Sequence, residues 1–344
     1  MIQKLINRDR RMRTERYLGQ TYQHSYAFIG MGQHSLTNLY PVLHHLGVSL
    51  KYIHVTSGRK ARLIEQKFAG TKATDSLDAI LNDKDVKGVF VATSPSAHFS
   101  IASQVLHSGK SLFIEKPPCY SLTELDQLIA LRHVHKSIVT MAGLQKRYAP
   151  AIQILKKQLN KEHLINYDLH YLTGCYPEGD AMFDLYIHPI DLVCYLFGQP
   201  QILSCRQTDK DSYILMLQHQ HIVGTLELST AYTWSDAEET LKICTRSGVY
   251  QLTQMDKLTF SPKQPTILGI PLEKLHAHHT LTKHLYHQNN FSPILPNNQI
   301  FTQGYFNEIT AFVNAIEKGE NNILTDIAEL KDTYEIIFKI KHCS

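Results

Sequence analysis

Apolar runs and polar stretches alternate regularly through residues 25–143 of the chain. The apolar runs are short and rich in Val, Ile and Phe, without the strict alternation that marks a strand with one wet face. Such runs are typical of strands buried on both faces of a parallel sheet. We therefore predict five parallel strands, at residues 26–30, 50–56, 88–93, 111–115 and 138–142.

The polar stretches between these strands carry apolar positions at helical spacing. Ser121 and Glu124 form a capping box that starts one helix, and Gly109 ends the helix before it. The predicted helices cover residues 36–46, 59–68, 97–108 and 121–135. Strands that alternate with crossover helices predict an α/β domain built on a parallel sheet.

The pattern changes after Tyr148, where apolar and polar positions begin to alternate along each run. Alternation with period two predicts an antiparallel sheet that has one buried face and one solvent-exposed face. Short turns such as Ser247-Gly248 separate the runs. The predicted strands are residues 164–172, 202–207, 212–218, 222–230, 240–245 and 249–254.

This change of pattern places a domain boundary near residues 143–150. Residues 255–300 are polar and rich in Pro, His and Asn, and we interpret them as loops. Two helices, at 304–318 and 327–342, close the chain. We predict three units: a basic N-terminal extension (1–24), an α/β domain (25–145) and an α+β domain with a large, open, mainly antiparallel sheet (146–344).

Composition narrows the possible partners of the 344-residue chain. A net charge of +4 is too small to favour nucleic acid, and no apolar stretch is long enough to span a bilayer. The 6 cysteines are scattered without a CxxC pair, so we expect reduced thiols in a cytoplasmic protein. The Arg-rich first 16 residues lack the apolar run of a secretory signal. They are a solvated or partner-packed helix, or an arm that closes over a phosphate or a neighbouring subunit.

A Gly-rich turn follows the first predicted strand and precedes a helix. Its spacing is Gly30-x-Gly32-x-x-Ser35, which is the context of a dinucleotide-binding fingerprint. Gly30 permits the tight turn, and Gly32 lets the backbone approach a pyrophosphate at the helix N-terminus. Ser35 replaces the third glycine with a side chain that still permits close packing of helix and strand.

The second predicted strand ends without the acidic residue that usually binds the ribose hydroxyls of NAD. Ser57, Arg59 and Lys60 occupy this place. A hydroxyl and two cations are suited to a 2′-phosphate, so we predict that NADP(H) is favoured over NAD(H). The alternative is an ordinary helix start with exposed basic residues.

Lys116 lies at the carboxyl end of a late strand, within the tripeptide Glu115-Lys116-Pro117. In nucleotide-binding sheets, that edge borders the ligand crevice. Further along the chain, His188 has the carboxylate of Asp184 four residues before it. A lysine can stabilise a developing alkoxide, and a histidine can move a proton near neutral pH. Together they outline a hydride-transfer site.

Taken together, these motifs resemble those of the Gfo/Idh/MocA oxidoreductase family. Their order and spacing carry the resemblance over nearly the whole chain from residue 25. The matching segments are residues 30–35, 92–98, 115–117, 145–150, 184–191 and 305–309. The resemblance implies a Rossmann dinucleotide-binding domain, then a substrate-binding and oligomerisation domain, with the nicotinamide between them.

The resemblance also implies residue roles. Lys116 would orient a substrate hydroxyl, and Asp184 and His188 would form an acid/base pair in which Asp184 fixes the imidazole tautomer. Further nucleotide contacts would come from Gln33, His34, Thr93, Ser94, Pro95, His98, Glu115 and Lys116. Substrate contacts would come from Lys116, Gln145, Arg147, Asp184, Tyr186, His188 and Asp191. The expected activity is NAD(P)-dependent oxidation or reduction of a sugar, polyol or related carbohydrate by a homodimer or homotetramer.

Several positions depart from the family pattern. Tyr186 stands two residues before His188 where relatives often have glycine, so we expect it to reshape the pocket floor. Gln145 stands where many relatives have asparagine. Two interpretations of Asp191 are open: it contacts the substrate, or it is a favourable charge at a helix N-terminus. These departures leave the substrate open.

Two other functions remain alternatives. A redox-neutral lyase or glycosidase would hold its cofactor tightly, and a non-catalytic regulatory protein would keep only the fold. The many histidines, including His276, His278, His279, His284 and His287, lack a recognisable ligand spacing. We therefore predict no metal site.

Overall fold

The first part of the chain forms a six-stranded parallel sheet. The computed structural model describes residues 2–19, 21–275, 281–289, 291 and 295–343. In this sheet the strand order is β3-β2-β1-β4-β5-β6, with the order reversing between β1 and β4. The strands are β1 Ser25–Ile29, β2 Ser49–His54, β3 Lys72–Thr74, β4 Val86–Val91, β5 Ser111–Glu115 and β6 Thr140–Gly143.

Helices connect these strands, and serine side chains cap several of them. Ser57, Ser76 and Ser121 each accept a backbone N–H at the start of a helix, which is the usual role of an N-cap serine. The helices are α1 Ile2–Leu18, α2 Tyr40–Leu46 (after a π-helical turn, Ser35–Leu39), α3 Gly58–Lys67, α4 Leu77–Leu81, α5 Pro95–His107 and α6 Leu122–Val134. The five predicted strands and four predicted helices of this region are confirmed. The additional β3 and α4 are too short for a periodic pattern to reveal.

The N-terminal extension is a helix, α1. Its Ile2, Leu5, Met12 and Leu18 side chains are all exposed. None of the helices in the described part of the chain combines the length and the apolar character needed to cross a membrane.

The second sheet has eight strands in the order β16-β13-β12-β11-β7-β10-β9-β8. Neighbouring strands are antiparallel except β7 and β10, which are parallel, so the sheet is mainly rather than purely antiparallel. Its strands are β7 Leu164–Gly174, β8 Gln201–Asp209, β9 Ser212–Gln218, β10 Val223–Tyr232, β11 Glu238–Thr245, β12 Gly248–Thr253, β13 Lys257–Pro262 and β16 Lys283–Tyr286. The helices α7 Pro150–Leu159 and α8 Ile187–Phe197 pack on it, preceded by a 3₁₀ turn Gln145–Tyr148 and a π-helical turn Met182–Tyr186.

The prediction of loops for residues 255–300 is wrong in part. Besides β13 and β16, this region contains β14 Thr266–Ile267, β15 Ile270–Pro271, α9 Leu272–Leu275, a 3₁₀ turn Leu295–Asn297 and α10 Gln299–Thr302. These elements are short and polar, and edge strands bury few apolar side chains. Their sequence pattern therefore resembles that of loops.

The last helices are α11 Tyr305–Lys318 and α12 Lys331–Lys341, separated by a 3₁₀ turn Ile327–Leu330. Phe312 of α11 packs edge-on against Phe90 and Phe113 of the first sheet, with ring centroids 5.2 and 5.8 Å apart. The assignment of the whole segment 146–344 to the second domain is therefore wrong for α11. Its apolar side chains complete the core on one face of the nucleotide-type sheet.

Candidate active site

Three adjoining cavities form one cleft beside the carboxyl ends of β1, β4 and β5. They measure about 580, 350 and 540 Å³, and we call them the glycine-turn, middle and polar cavities. The middle cavity shares His34 and Thr93 with the glycine-turn cavity, and Lys116, His188 and Tyr305 with the polar cavity. The cleft lies where the strand order reverses, which is where open α/β sheets bind ligands.

The Gly-rich turn forms one wall of the glycine-turn cavity. Gly30 has a φ of +88°, and a Cβ there would lie 2.6 Å from the Ala92 carbonyl oxygen, so only glycine fits. A Cβ at Gly32 would meet no protein atom within 4 Å, which leaves the backbone open to a ligand. The Ser35 hydroxyl donates to the Gly30 carbonyl at 3.2 Å, and Gln33 also lines the cavity. These features fit a dinucleotide pyrophosphate.

The predicted 2′-phosphate residues divide into two groups. Ser57 and Lys60 line the glycine-turn cavity, whereas Arg59 does not. The Ser57 hydroxyl accepts the Lys60 backbone N–H at 3.4 Å as the cap of α3. None of the described residues that line this cavity is acidic.

His98 braces the loops that follow β4 and β5. Its ring nitrogens lie 2.7 Å from the Pro117 carbonyl oxygen and 3.1 Å from that of Thr93. Burial lowers the pKa of His98. Ser94 and Pro95 form the start of α5, and Ser94 lines the glycine-turn cavity while Pro95 and His98 line the middle one. His98 therefore holds the cleft wall together in addition to bordering it.

Glu115 and His34 face each other across the middle cavity. His34 Nε2 lies 3.3 Å from Glu115 Oε1, and the His34 ring meets Tyr305 edge-on at 5.8 Å. Burial lowers the pKa of His34, but its hydrogen bond and charge interaction with Glu115 outweigh this, so the pKa lies above its ordinary value. The pair joins the Gly-rich turn to the end of β5.

Lys116 is partly buried at the end of β5 and borders both the middle and the polar cavities. It precedes a cis peptide bond to Pro117. Its ammonium donates to the backbone carbonyl oxygen of Asp184. Burial lowers the pKa of Lys116, against the opposing charges of Glu115 and Asp184. A cation is thereby fixed at the junction of the two domains.

The Asp184 carboxylate is held away from His188. Its Oδ2 accepts the Asp180 N–H at 3.0 Å, and the Tyr176 hydroxyl also binds the carboxylate. Burial raises the pKa of Asp184, while the Lys116 charge opposes the rise. Between the described atoms of Asp184 and His188 there is no hydrogen bond. The predicted role of Asp184 in fixing the imidazole tautomer is therefore wrong in this structure, because its carboxylate is already engaged by the Asp180 turn.

His188 lies in the first turn of α8, where it borders the middle and polar cavities. Its Nδ1 is buried and has no hydrogen-bond partner in the described part of the chain. Burial, followed by the charges of Lys116, Lys146 and His34, holds the pKa of His188 well below its ordinary value. The imidazole is therefore neutral at pH 7, and among the described residues none fixes its tautomer at Nδ1.

Arg147 and Asp191 do not reach the cleft. They form a buried ion pair in which Arg147 Nε and Nη2 donate to Asp191 at 2.8 and 2.6 Å. Arg147 Nη1 also donates to the Leu324 carbonyl at 2.6 Å, and the Thr333 hydroxyl donates to Asp191 at 3.1 Å. The predicted substrate contacts of these two residues are wrong, since their polar atoms are satisfied inside the protein.

The Asp191→Asn substitution tests this structural role. Because the Arg147 guanidinium would lose its buried counter-charge, we expect the free energy of unfolding to fall by about 3–5 kcal/mol. Urea denaturation followed by circular dichroism measures it. Lys331→Met, which breaks the exposed pair Lys331–Asp126, is the control and is expected to cost about 0–1 kcal/mol. A stable Asp191→Asn protein with impaired substrate binding would contradict the structural assignment.

Tyr186 is also absent from the cleft. Its side chain is fully buried, its hydroxyl donates to the Asp211 carbonyl, and its ring packs edge-on against Tyr171 at 6.2 Å. The prediction that it reshapes the pocket floor by contact is wrong; it supports Tyr171, which does line the polar cavity. Gln145 lines that cavity as predicted.

Several residues of the polar cavity were not predicted, among them Lys146, Tyr171, Glu239 and Tyr305. Lys146 is next to Gln145, within the motif at residues 145–150. Its charge could therefore have been used to predict a second cation in the site. Glu239 and Tyr171 lie on β11 and β7, and only the pairing of those strands, with Glu239 opposite Tyr171, brings them together. The segment around α10 adds Asn298, Gln299, Ile300 and Gln303.

Among the described residues, no group of three or more His, Cys, Asp or Glu side chains is placed to hold a metal ion. His219 is buried and bonds the Tyr167 hydroxyl and the Gly198 carbonyl. His276, His278 and His279 lie outside the described residues.

Comparison with known proteins identifies a relationship for the first domain. Residues 24–143 match the Gfo/Idh/MocA family model, described as an oxidoreductase family with an NAD-binding Rossmann fold. The first domain is thus an NAD(P)-binding Rossmann domain. This match covers about a third of the chain, and it agrees with the resemblance drawn from the motifs.

The curated relatives include dehydrogenases with a named substrate. The chain is 32% identical over 134 residues to UDP-N-acetylglucosamine 3-dehydrogenase of Acidithiobacillus ferrooxidans, covering 37% of this chain and 40% of that protein. It is 24% identical over 152 residues to inositol 2-dehydrogenase of Salmonella paratyphi B, covering 42% and 45%. The chain spans about half the length of the curated relatives it matches.

The whole fold has counterparts among solved structures. A dehydrogenase from Chromobacterium violaceum superposes with a TM-score of 0.78 over 93% of this chain and 95% of its own, at 19% identity. At that identity the likeness shows the fold alone. It confirms the prediction of a Rossmann domain followed by a domain with a large, mainly antiparallel sheet.

Proposed function

We propose that the protein is an NAD(P)-dependent oxidoreductase that acts on a secondary alcohol or ketone of a sugar, polyol or related carbohydrate. One observation carries the proposal: the cleft beside the Gly-rich turn continues, past Lys116 and His188, into a polar cavity. A nucleotide held along the turn would thus end beside a cation and a neutral imidazole. The named activities of the two curated relatives, on an inositol and on a sugar nucleotide, support the same class.

The residues fit a bound nicotinamide dinucleotide. Gly30 and Gly32 would admit the pyrophosphate, while His34, Thr93, Pro95 and the other middle-cavity residues would surround the nicotinamide end. When bound, that cofactor supplies or accepts the hydride. The protein's own contribution is to hold the reacting carbon's oxygen and to move its proton.

Lys116 is the group that would hold the oxygen. Its ammonium is fixed by the Asp184 carbonyl, and it faces both the middle and the polar cavity. A preorganised cation stabilises negative charge as it develops on an alcohol oxygen, without a reorganisation cost at the moment of reaction.

His188 is the group that would move the proton. Since burial and nearby cations lower its pKa, it is a neutral base at pH 7 and can accept the hydroxyl proton during oxidation. In the reverse direction, the protonated ring returns the proton to the carbonyl oxygen. The low pKa makes the imidazolium form a stronger acid but also a minor species at pH 7, so this direction is expected to be faster in mildly acidic solution.

We further propose a preference for NADP(H), supported by Ser57 and Lys60 at the glycine-turn cavity and by the missing acid. Lys60→Ala should weaken NADPH binding about 5- to 20-fold through loss of a charge-assisted hydrogen bond, with NADH binding nearly unchanged. Arg59→Ala is the matched control on the same helix, because Arg59 does not line the cavity. Calorimetric titration measures both nucleotides. Equal losses for NADH and NADPH would contradict the 2′-phosphate contact.

The function is tested with nucleotide-free protein. Calorimetry with NADPH and NADH establishes binding, and nicotinamide absorbance then reports turnover with a panel of sugars, polyols and their ketones. Binding together with turnover of at least one carbohydrate supports the proposal. Failure of both nucleotides to bind would overturn it.

A further inference from the structure

Lys146 and Glu239 form an ion pair on the wall of the polar cavity. Their side chains are only 7% and 12% exposed, and both belong to the cavity lining. The Lys146 ammonium also lies 4.7 Å from the centre of the Tyr171 ring. Lys146 lies in the turn after β6, and Glu239 lies on β11 of the second sheet.

The presence of a largely buried ion pair beside a cavity requires a physical explanation. Removing two charges from water is costly, and a buried ion pair is often no more stabilising than apolar side chains of the same volume. Here the pair borders a cavity of about 540 Å³, so its remaining hydrogen-bonding capacity is directed at whatever enters. An ammonium has three donors and a carboxylate has about four acceptor positions, and one contact between them leaves most of both unused.

The charges that line the polar cavity balance. Lys116 and Lys146 supply two cations, Asp184 and Glu239 supply two anions, and His188 is neutral because burial and neighbouring cations lower its pKa. The other described polar side chains of the lining are hydroxyls and amides: Thr37, Asn38, Gln145, Tyr171, Asn298, Gln299, Gln303 and Tyr305. Amides and hydroxyls both donate and accept, which suits a ligand rich in hydroxyl groups.

We propose that Lys146 and Glu239 together bind two neighbouring hydroxyl groups of an uncharged sugar or polyol and thereby select against sugar acids. This inference rests on the proposed function and adds the substrate's charge and a specificity site. Glu239 accepts a hydrogen bond from one hydroxyl, and Lys146 donates to the oxygen of the other. Tyr171, beneath the ammonium, gives the diol an apolar face to lie against.

An acidic substrate fits this wall poorly. A carboxylate that approached Lys146 would have to displace or share Glu239, and the two like charges would repel. Asp184 adds a second negative charge to the same lining. A hydroxyl faces no such conflict, since it can accept from the cation and donate to the anion at the same time.

The test compares Glu239→Gln with the wild-type holoenzyme on matched substrate pairs: D-glucose with D-glucuronate, and D-galactose with D-galacturonate. For the neutral sugars we expect KM to rise about 10-fold or more with kcat changed less than 3-fold, because a charged hydrogen bond to the resting substrate is lost. For the acids we expect KM to fall or stay unchanged. Glu238→Gln is the matched control, since Glu238 precedes Glu239 on β11 but lies outside the cavity lining.

A second readout separates this inference from the proposed function. Saturation-transfer NMR on the protein loaded with NADPH or NADH measures sugar binding without turnover. Neutral sugars that bind to wild type but not to Glu239→Gln would support the inference even if no hydride transfer occurred, in which case the oxidoreductase proposal alone would fail. Preferential binding or turnover of the acids by wild type would overturn it, as would an absence of binding by every neutral compound.

Discussion

Lys116→Met is expected to lower kcat for carbohydrate oxidation by about 100- to 1000-fold, because a preorganised charge at the reacting oxygen is removed. Methionine keeps most of the length and apolar volume of the side chain but cannot donate to the Asp184 carbonyl oxygen or to an alkoxide. KM for the nucleotide should change little, since Lys116 borders the middle and polar cavities, at the nicotinamide end, and not the glycine-turn cavity that would hold the pyrophosphate. Stopped-flow absorbance of the nicotinamide measures the hydride step directly.

The chain offers a matched control for this substitution in Lys110. It precedes the same strand, β5, at the opposite end of the sheet, and its ammonium likewise donates to two backbone carbonyl oxygens, those of Asp83 and Val86. Burial lowers the pKa of Lys110 as it does that of Lys116. Lys110→Met should therefore lower stability while kcat stays near the wild-type value. Equal kcat losses in both variants would show that Lys116 acts on the fold rather than on the substrate.

His188→Asn is expected to lower kcat/KM about 100- to 10,000-fold at pH 7, through loss of the proton acceptor. The pH profile gives the more specific readout. Because the pKa of His188 is held well below 6.5, the neutral base persists in mildly acidic solution. The acid limb of wild-type kcat/KM for oxidation should therefore lie below pH 6.5, and activity should fall only as the pH drops through the lowered pKa. In His188→Asn this limb should disappear.

His219 supplies the control for the pH argument. It too is buried, and burial lowers its pKa, but it bonds Tyr167 and Gly198 away from the cleft. His219→Asn should reduce stability and leave the acid limb in place. An acid limb that survives in His188→Asn would assign the proton transfer to another group and contradict the proposed role.

Local periodicity predicted five of the six strands of the first sheet and six of the eight strands of the second, and it missed β3, β13 and β16. Buried parallel strands and half-buried antiparallel strands differ in their pattern, and this difference located the transition after β6 (Thr140–Gly143). The position of Lys116 and His188 beside the cleft was also predictable, because each lies next to an element boundary. The requirement for glycine at position 30 was predictable in the same way, because its turn tolerates only a residue without a Cβ.

Contacts between distant segments account for the errors. Whether Arg147 faces substrate or Asp191 depends on how the turn after β6 packs against α8, which no local pattern records. Likewise, Glu239 reaches the cavity only through the register of β11 on β7. The Asp184–His188 spacing suggested a pair, but the Asp180 N–H takes the carboxylate instead. In each case a contact between distant segments, and not the local sequence, determined the surroundings of the side chain.

The placement of α11 (Tyr305–Lys318) has a consequence for the way the protein is synthesised. Phe28, Phe90 and Phe113 line the face of the first sheet that α11 covers, yet α11 leaves the ribosome only after the entire second sheet. Until then that aromatic face is covered only in part, by Leu39, Val42 and Leu43 from the segment that follows β1. The nascent Rossmann domain thus carries exposed apolar surface through most of translation, which is the condition under which chaperones bind and misassembly competes with folding. The first domain therefore acquires its complete apolar core only once nearly the whole polypeptide has emerged.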